Sequence, residues 1–118
     1  MINNIVEESL KGKPVVVYSG SRNASVVDAE LLGNYYGKLV REISSRIQLG
    51  KLIICGGDTS SHTARALGIT AVEMIGSCIH GAPLCRAHSG YAEIDGMEMN
   101  FKGGQLGPPE YFEMIKTI

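Results

Sequence analysis

Apolar and polar positions recur along this chain at two periods, one helical and one strand-like. From Asp28 to Leu49 the apolar residues Leu32, Tyr36, Leu39, Ile43 and Ile47 recur at helical spacing, with Lys38, Arg41, Glu42, Ser45 and Arg46 opposite. This predicts a long amphipathic helix stopped by Gly50. Gly33 and Gly37 inside it each cost about 1 kcal/mol of helix propensity relative to alanine, and close packing against a neighbouring element is the expected reason. Four short runs read as strands. PVVVY, Pro14 to Tyr18, is apolar and β-branched, and Lys51 to Cys55 is an apolar run closed by two glycines. Ile69 to Ile75 alternates weakly, whereas Gly96 to Phe101 sets Met97, Met99 and Phe101 against Glu98 and Asn100. The stretch SCIHGAPLCRAHSG between them is expected to be loop with one edge segment. A short helix is expected from about Ser61 to Leu67. A last one follows Pro109, where Tyr111, Phe112, Ile115 and Ile118 make an apolar stripe.

The first run, the long helix and the second run make a β-α-β unit, whose strands should be parallel and joined right-handedly. The expected fold is α/β: a single three-layer-like domain with a small, mainly parallel or mixed sheet flanked by helices. Its 118 residues suit one domain. Residues 1–13 read as a linker-like segment and 14–118 as the domain, with no internal repeat.

Composition narrows the partners. With 44% hydrophobic and 19% charged residues, and no apolar run near the ~20 residues of a membrane span, no membrane association is expected. A formal net charge of -1 lacks the basic excess that binding a phosphate backbone needs, so nucleic acid is not an expected partner. The start, MINNIVEESLKGK, is neither a secretory signal nor a basic transit peptide, which leaves a cytoplasmic location. Cys55, Cys78 and Cys85 fit neither a disulfide framework nor paired zinc ligands and read as reduced, small apolar residues. His62, His80 and His88 also lack metal-ligand spacing, so no metal site built by this chain alone is expected.

Candidate chemistry lies in two glycine loops, each between a strand and a helix. Gly56, Gly57, Asp58, Thr59 and Ser60 match neither a Walker P-loop nor a dinucleotide fingerprint. Glycines nevertheless let a phosphate reach the main chain, consecutive N–H groups form a concave donor nest, and hydroxyls add donors. The alternative is a plain helix cap by Asp58, Thr59 or Ser60. Lys102, Gly103 and Gly104 offer a cation and a second glycine approach; the alternative there is a solvated turn. Two such loops in one short domain favour a shared polyanionic ligand. Arg22, Arg65 and Arg86 read as solvated surface. Asp58, Ser60, Ser61 and His62 hold the residue types of a hydrolase triad but lie too close in sequence to align in relay.

The segments CGGDTSSHTARALGI, HGAPLCRA and DGMEMNFKGGQLGPPEYF, in this order and spacing, resemble the C-terminal domain of the four-carbon acid sugar kinases. Some members carry an older label as Hrp-dependent type III effectors. The likeness runs from about Pro14 to Phe112. It implies a nucleotide-binding domain of an enzyme that phosphorylates tetronates or 3-oxo-tetronates with ATP and Mg²⁺. In it Gly56, Gly57, Asp58 and Thr59 would contact the phosphates, and Lys102, Gly103 and Gly104 would form the family's later ATP loop.

The resemblance also implies what is missing. The family's N-terminal domain, with its aspartate-bearing sugar-acid motif, has no counterpart in this sequence, and Ser19-Gly20-Ser21 only superficially matches a further ATP contact. The chain is therefore expected to be inactive alone, with the sugar acid held by the missing domain and the catalytic base unassigned. Homodimerisation through the surface that domain would cover is left open. A non-catalytic nucleotide-sensing or assembly module is the alternative.

Overall fold

Asp28 starts the long helix from outside it: its carboxylate accepts the Glu30 N–H at 2.9 Å, satisfying one of the donors that a helix start leaves open. The computed structural model describes residues 2–13, 15–17, 28–79 and 82–102. In chain order its elements are α1 (Ile2–Leu10), α2 (Ala29–Arg46), β1 (Lys51–Cys55), α3 (Gly57–Ala66), β2 (Ile69–Ile79), β3 (Ala82–Ser89) and β4 (Glu98–Lys102). The strands form one sheet in the order β1-β4-β3-β2, in which β1 and β4 are parallel while the β3 pairings are antiparallel. This is a small α/β domain with a mixed sheet, as the hydrophobic patterning implied.

One face of the sheet makes the core. Parallel register sets Leu52 beside Met99 and Ile54 beside Phe101, and Cys85 lies next to Met99 across the β3–β4 ladder. Ile54, Met99 and Ala87 are buried against Val40 of α2, Leu67 at the end of α3, and Ile94 and Met97 of the β3–β4 turn. Fully burying each large side chain contributes about 1.5–3 kcal/mol. A second cluster joins Ile5 of α1 to Leu39 and Ile43 of α2.

Several expectations change. Residues 1–13 are not simply linker: Ile2, Ile5 and Val6 fall on one face of α1 and pack on α2. Val15, Val16 and Val17 carry no strand, and Val15 and Val16 are exposed. The parallel partner of β1 is instead β4, at the other end of the sequence. The stretch expected as loop contains β3 and lengthens β2, because Cys85 and Ala87 turn inward while Arg86 and His88 face out. That is a strand period. The expected final helix lies outside the described residues.

Candidate functional site

Parallel pairing places Cys55 opposite Lys102, so the chain leaves β1 and β4 at the same end of the sheet. The Gly56 N–H donates to the Lys102 carbonyl at 2.8 Å and joins the two exits. Ligands of open α/β sheets collect outside the carboxyl ends of strands. The first glycine loop and Lys102 thus meet where a ligand would be expected on topology alone.

Gly56 has φ 101° and ψ 147°, a conformation that side chains rarely adopt, and it turns the chain straight from β1 into α3. The helix therefore begins at Gly57 rather than near Ser61. This corrects the capping alternative: Gly56 is the N-cap and makes no side-chain cap bond, while Asp58, Thr59 and Ser60 lie within the first turn. The N–H groups of Gly57, Asp58 and Thr59 consequently have no acceptor within the helix. Ser60 is the first residue to close the ladder, its N–H reaching the Gly56 carbonyl at 3.3 Å.

The hydroxyls divide by direction. Ser60 is buried, and its single O–H lies within reach of the carbonyls of Gly56 and Ile54. It braces the turn from inside instead of facing outward. Ser61 Oγ donates back to the Gly57 carbonyl at 3.5 Å, and Thr63 Oγ1 to the Thr59 carbonyl at 2.7 Å. Gly57 and Asp58 are exposed, and Thr59 is half-buried. A Cβ added to Gly57 would meet nothing within 4 Å, and its φ is not positive. Neither backbone conformation nor packing among the described residues requires glycine there.

The helix start carries roughly half a positive elementary charge, Lys102 adds one, and the Asp58 carboxylate subtracts one. Burial pushes the Cys55 thiol pKa up, with the Lys102 ammonium pulling it back. Cys55 reads as core at the end of an apolar run, yet at the end of β1, opposite Lys102, it is only partly covered. Gly103 and Gly104 lie outside the described residues. Arg65 is exposed on α3, and Arg86 stands opposite Glu98, at the far end of β4 from Lys102. His62 faces α2 rather than a serine hydroxyl. Among the described residues no three His, Cys, Asp or Glu side chains group as metal ligands.

Against known proteins, the family model described as a nucleotide-binding C-terminal domain matches residues 1–112. The chain is 34% identical over 88 residues to the 3-oxo-isoapionate kinase of Paraburkholderia graminis, covering 75% of this chain and 19% of that protein. It is 27% identical over 111 residues to the 3-oxo-tetronate kinase of Cupriavidus necator, covering 86% of this chain and 25% of that protein. It therefore spans a quarter or less of the curated relatives it matches. Two crystal structures of a domain of unknown function, DUF1537, from Bordetella bronchiseptica share the fold, with TM-scores of 0.71 and 0.73 and 18% identity. They cover 98% and 97% of this chain and 29% and 28% of theirs, and both are domain-swapped dimers with bound citrate.

Proposed function

This chain belongs to the nucleotide-binding C-terminal domain family, and on that premise we propose that it is the ATP-binding part of a kinase acting on four-carbon sugar acids, tetronates or 3-oxo-tetronates. The observation that carries this is the meeting of the Gly56–Thr59 turn with Lys102, joined by the Gly56–Lys102 hydrogen bond. The N–H groups of Gly57, Asp58 and Thr59, which have no acceptor within the helix, and the Lys102 ammonium hold the phosphates. Gly103 and Gly104 are proposed as further nucleotide-contacting residues, and Ser60 stiffens the Gly56 turn. The names of the two curated relatives support the sugar-acid class.

Charge explains the metal. The partial positive charge of one helix start and a single lysine falls far short of the negative charge a triphosphate carries. Mg²⁺ is proposed to arrive with the nucleotide and neutralise the rest. One exposed carboxylate, Asp58, fits an ion that keeps its waters and is held mainly by substrate phosphates. The sugar acid is assigned to the remainder of a full-length protein like the relatives, so this chain alone makes no product. Because the DUF1537 structures are domain-swapped dimers, self-association is part of the proposal, and the cytoplasm is the proposed location.

Thermal unfolding with ATP tests this, with and without Mg²⁺, beside Gly57→Val. A ligand at a hundred times its Kd stabilises by about 2.7 kcal/mol if it binds only the folded state. MgATP should raise the Tm of the parent. A side chain added at Gly57 meets none of the described residues within 4 Å, so the variant should keep the parent's own Tm and lose the MgATP response. Equal responses in both chains, or none in the parent at millimolar ATP, would overturn the assignment.

A further inference from the structure

We propose that Gly33 and Gly37 are positioning residues for the phosphate site: through α2 they set where α3 begins relative to Lys102. This rests on the nucleotide reading above. The two halves of the site belong to different bodies, since Gly57, Asp58 and Thr59 travel with α3 while Lys102 is fixed in the sheet. Although α3 follows β1 directly, its principal packing partner is α2, and the strands touch it far less. The spacing between the halves is therefore set by how closely α3 lies on α2.

That closeness depends on two missing side chains. Gly33 and Gly37, both buried, sit one turn apart on α2 and face His62 and Ala66, one turn apart on α3, so the helices run in the same direction. A Cβ on Gly33 would overlap the His62 Cβ and lie 2.8 Å from the Thr63 backbone nitrogen and 2.9 Å from the His62 carbonyl carbon. A Cβ on Gly37 would overlap the Ala66 Cβ and lie 3.3 Å from the Ala66 carbonyl carbon. The obstacle at Gly33 includes main chain, which cannot rotate away. Neither glycine has a positive φ, and both disfavour the helix that contains them, so close approach is what they provide. His62 and Thr63 lie just past the first turn of α3. A displacement at this contact moves the free N–H groups with little helix between to absorb it.

The test compares Gly33→Ala, Gly37→Ala and the exchange Gly37→Ala/Ala66→Gly, which transfers the methyl between helices and restores room. Backbone amide shifts of Gly57, Asp58 and Thr59 report the position of α3 without nucleotide, and titration gives the Kd for MgATP. Both single variants should move these shifts and weaken MgATP by about tenfold or more, because an ångström-scale misplacement of donors is costly. The exchange should restore both readouts. Ile5→Ala, in the α1–α2 cluster, supplies loss of stability without the contact and should leave the Kd unchanged at a temperature where it is folded. Unmoved shifts in a folded Gly37→Ala chain, failure of the exchange to restore, or equal weakening by Ile5→Ala would overturn the proposal. If Gly33→Ala does not fold, Gly37→Ala and its exchange carry the comparison. If the parent binds no MgATP the nucleotide assignment falls, while the amide shifts still decide whether the glycines position α3.

Discussion

Asn100 has no exposed surface, and its Nδ2 donates to the Pro83 carbonyl at 3.0 Å, tying β4 to the start of β3. A buried polar group left without its partner costs about 1–3 kcal/mol, so Asn100→Ala should destabilise the chain by about that much in denaturant unfolding. Its burial was hidden in the sequence, where Asn100 reads as the solvent side of an alternating strand. The period was right, but the second face of the sheet is not free of contacts. Cys85 gives a pH signature. Burial pushes its thiol above the ordinary value of 9.0, so the folded chain holds that proton more tightly than the unfolded chain. The resulting stability is present below the unfolded value and lost as pH rises through the folded one. Tm measured from pH 9 upward should fall, and Cys85→Ala should make the fall shallower. Residue types alone mark Gly56 to Ser60 as one unit, whereas geometry divides them: Gly56 turns the chain, Ser60 braces it, Gly57 and Asp58 are exposed, and Thr59 is half-buried.

Elements were legible where one period persisted. The 3.6-residue repeat of α2 and the apolar run of β1 stand within a few residues of their expected bounds, because each has a strong pattern and a clear stop. The glycine pair reads as a loop in the sequence, which delays the expected start of α3; only the positive φ of Gly56 lets the helix start at once. The β2–β3 hairpin was obscured by register shifts near Gly76, which break the alternation that would have announced it. The hydrophobic pattern does not announce α1, whose nine residues are too short to be helical alone. Its stability must come from docking Ile5 on Leu39 and Ile43. Ile5→Ala should therefore cost about 2 kcal/mol or more, with the loss of helical circular dichroism confined to a short segment at temperatures below the main transition. A loss below about 0.5 kcal/mol would mean that α1 does not hold to α2 in solution.

At the scale of the molecule, the pairing of β1 with β4 brings the Gly56 turn and Lys102, far apart in sequence, to one end of the sheet. Sequence order could suggest that the loops share a ligand but not that their strands are neighbours, because the β-α-β expectation assigned β1 a different parallel partner. On the proposed kinase reading, the same topology would divide the work of phosphoryl transfer. The exits of β1 and β4 supply donors and positive charge, which suits holding the phosphoryl donor. Among the described residues the start of α3 offers one carboxylate, Asp58, which under the proposal would serve the Mg²⁺ of the nucleotide. The proton acceptor and the sugar-acid contacts are therefore expected from the portion of the relatives that this chain does not span. Alone with MgATP and a four-carbon sugar acid, the chain should release no phosphorylated product. Mixed with the separately expressed N-terminal portion of a related kinase, it should restore turnover that Gly57→Val abolishes. Turnover by the chain alone would place the missing base within these 118 residues. MgATP binding without restoration by that portion would favour the nucleotide-sensing or assembly module over the kinase half.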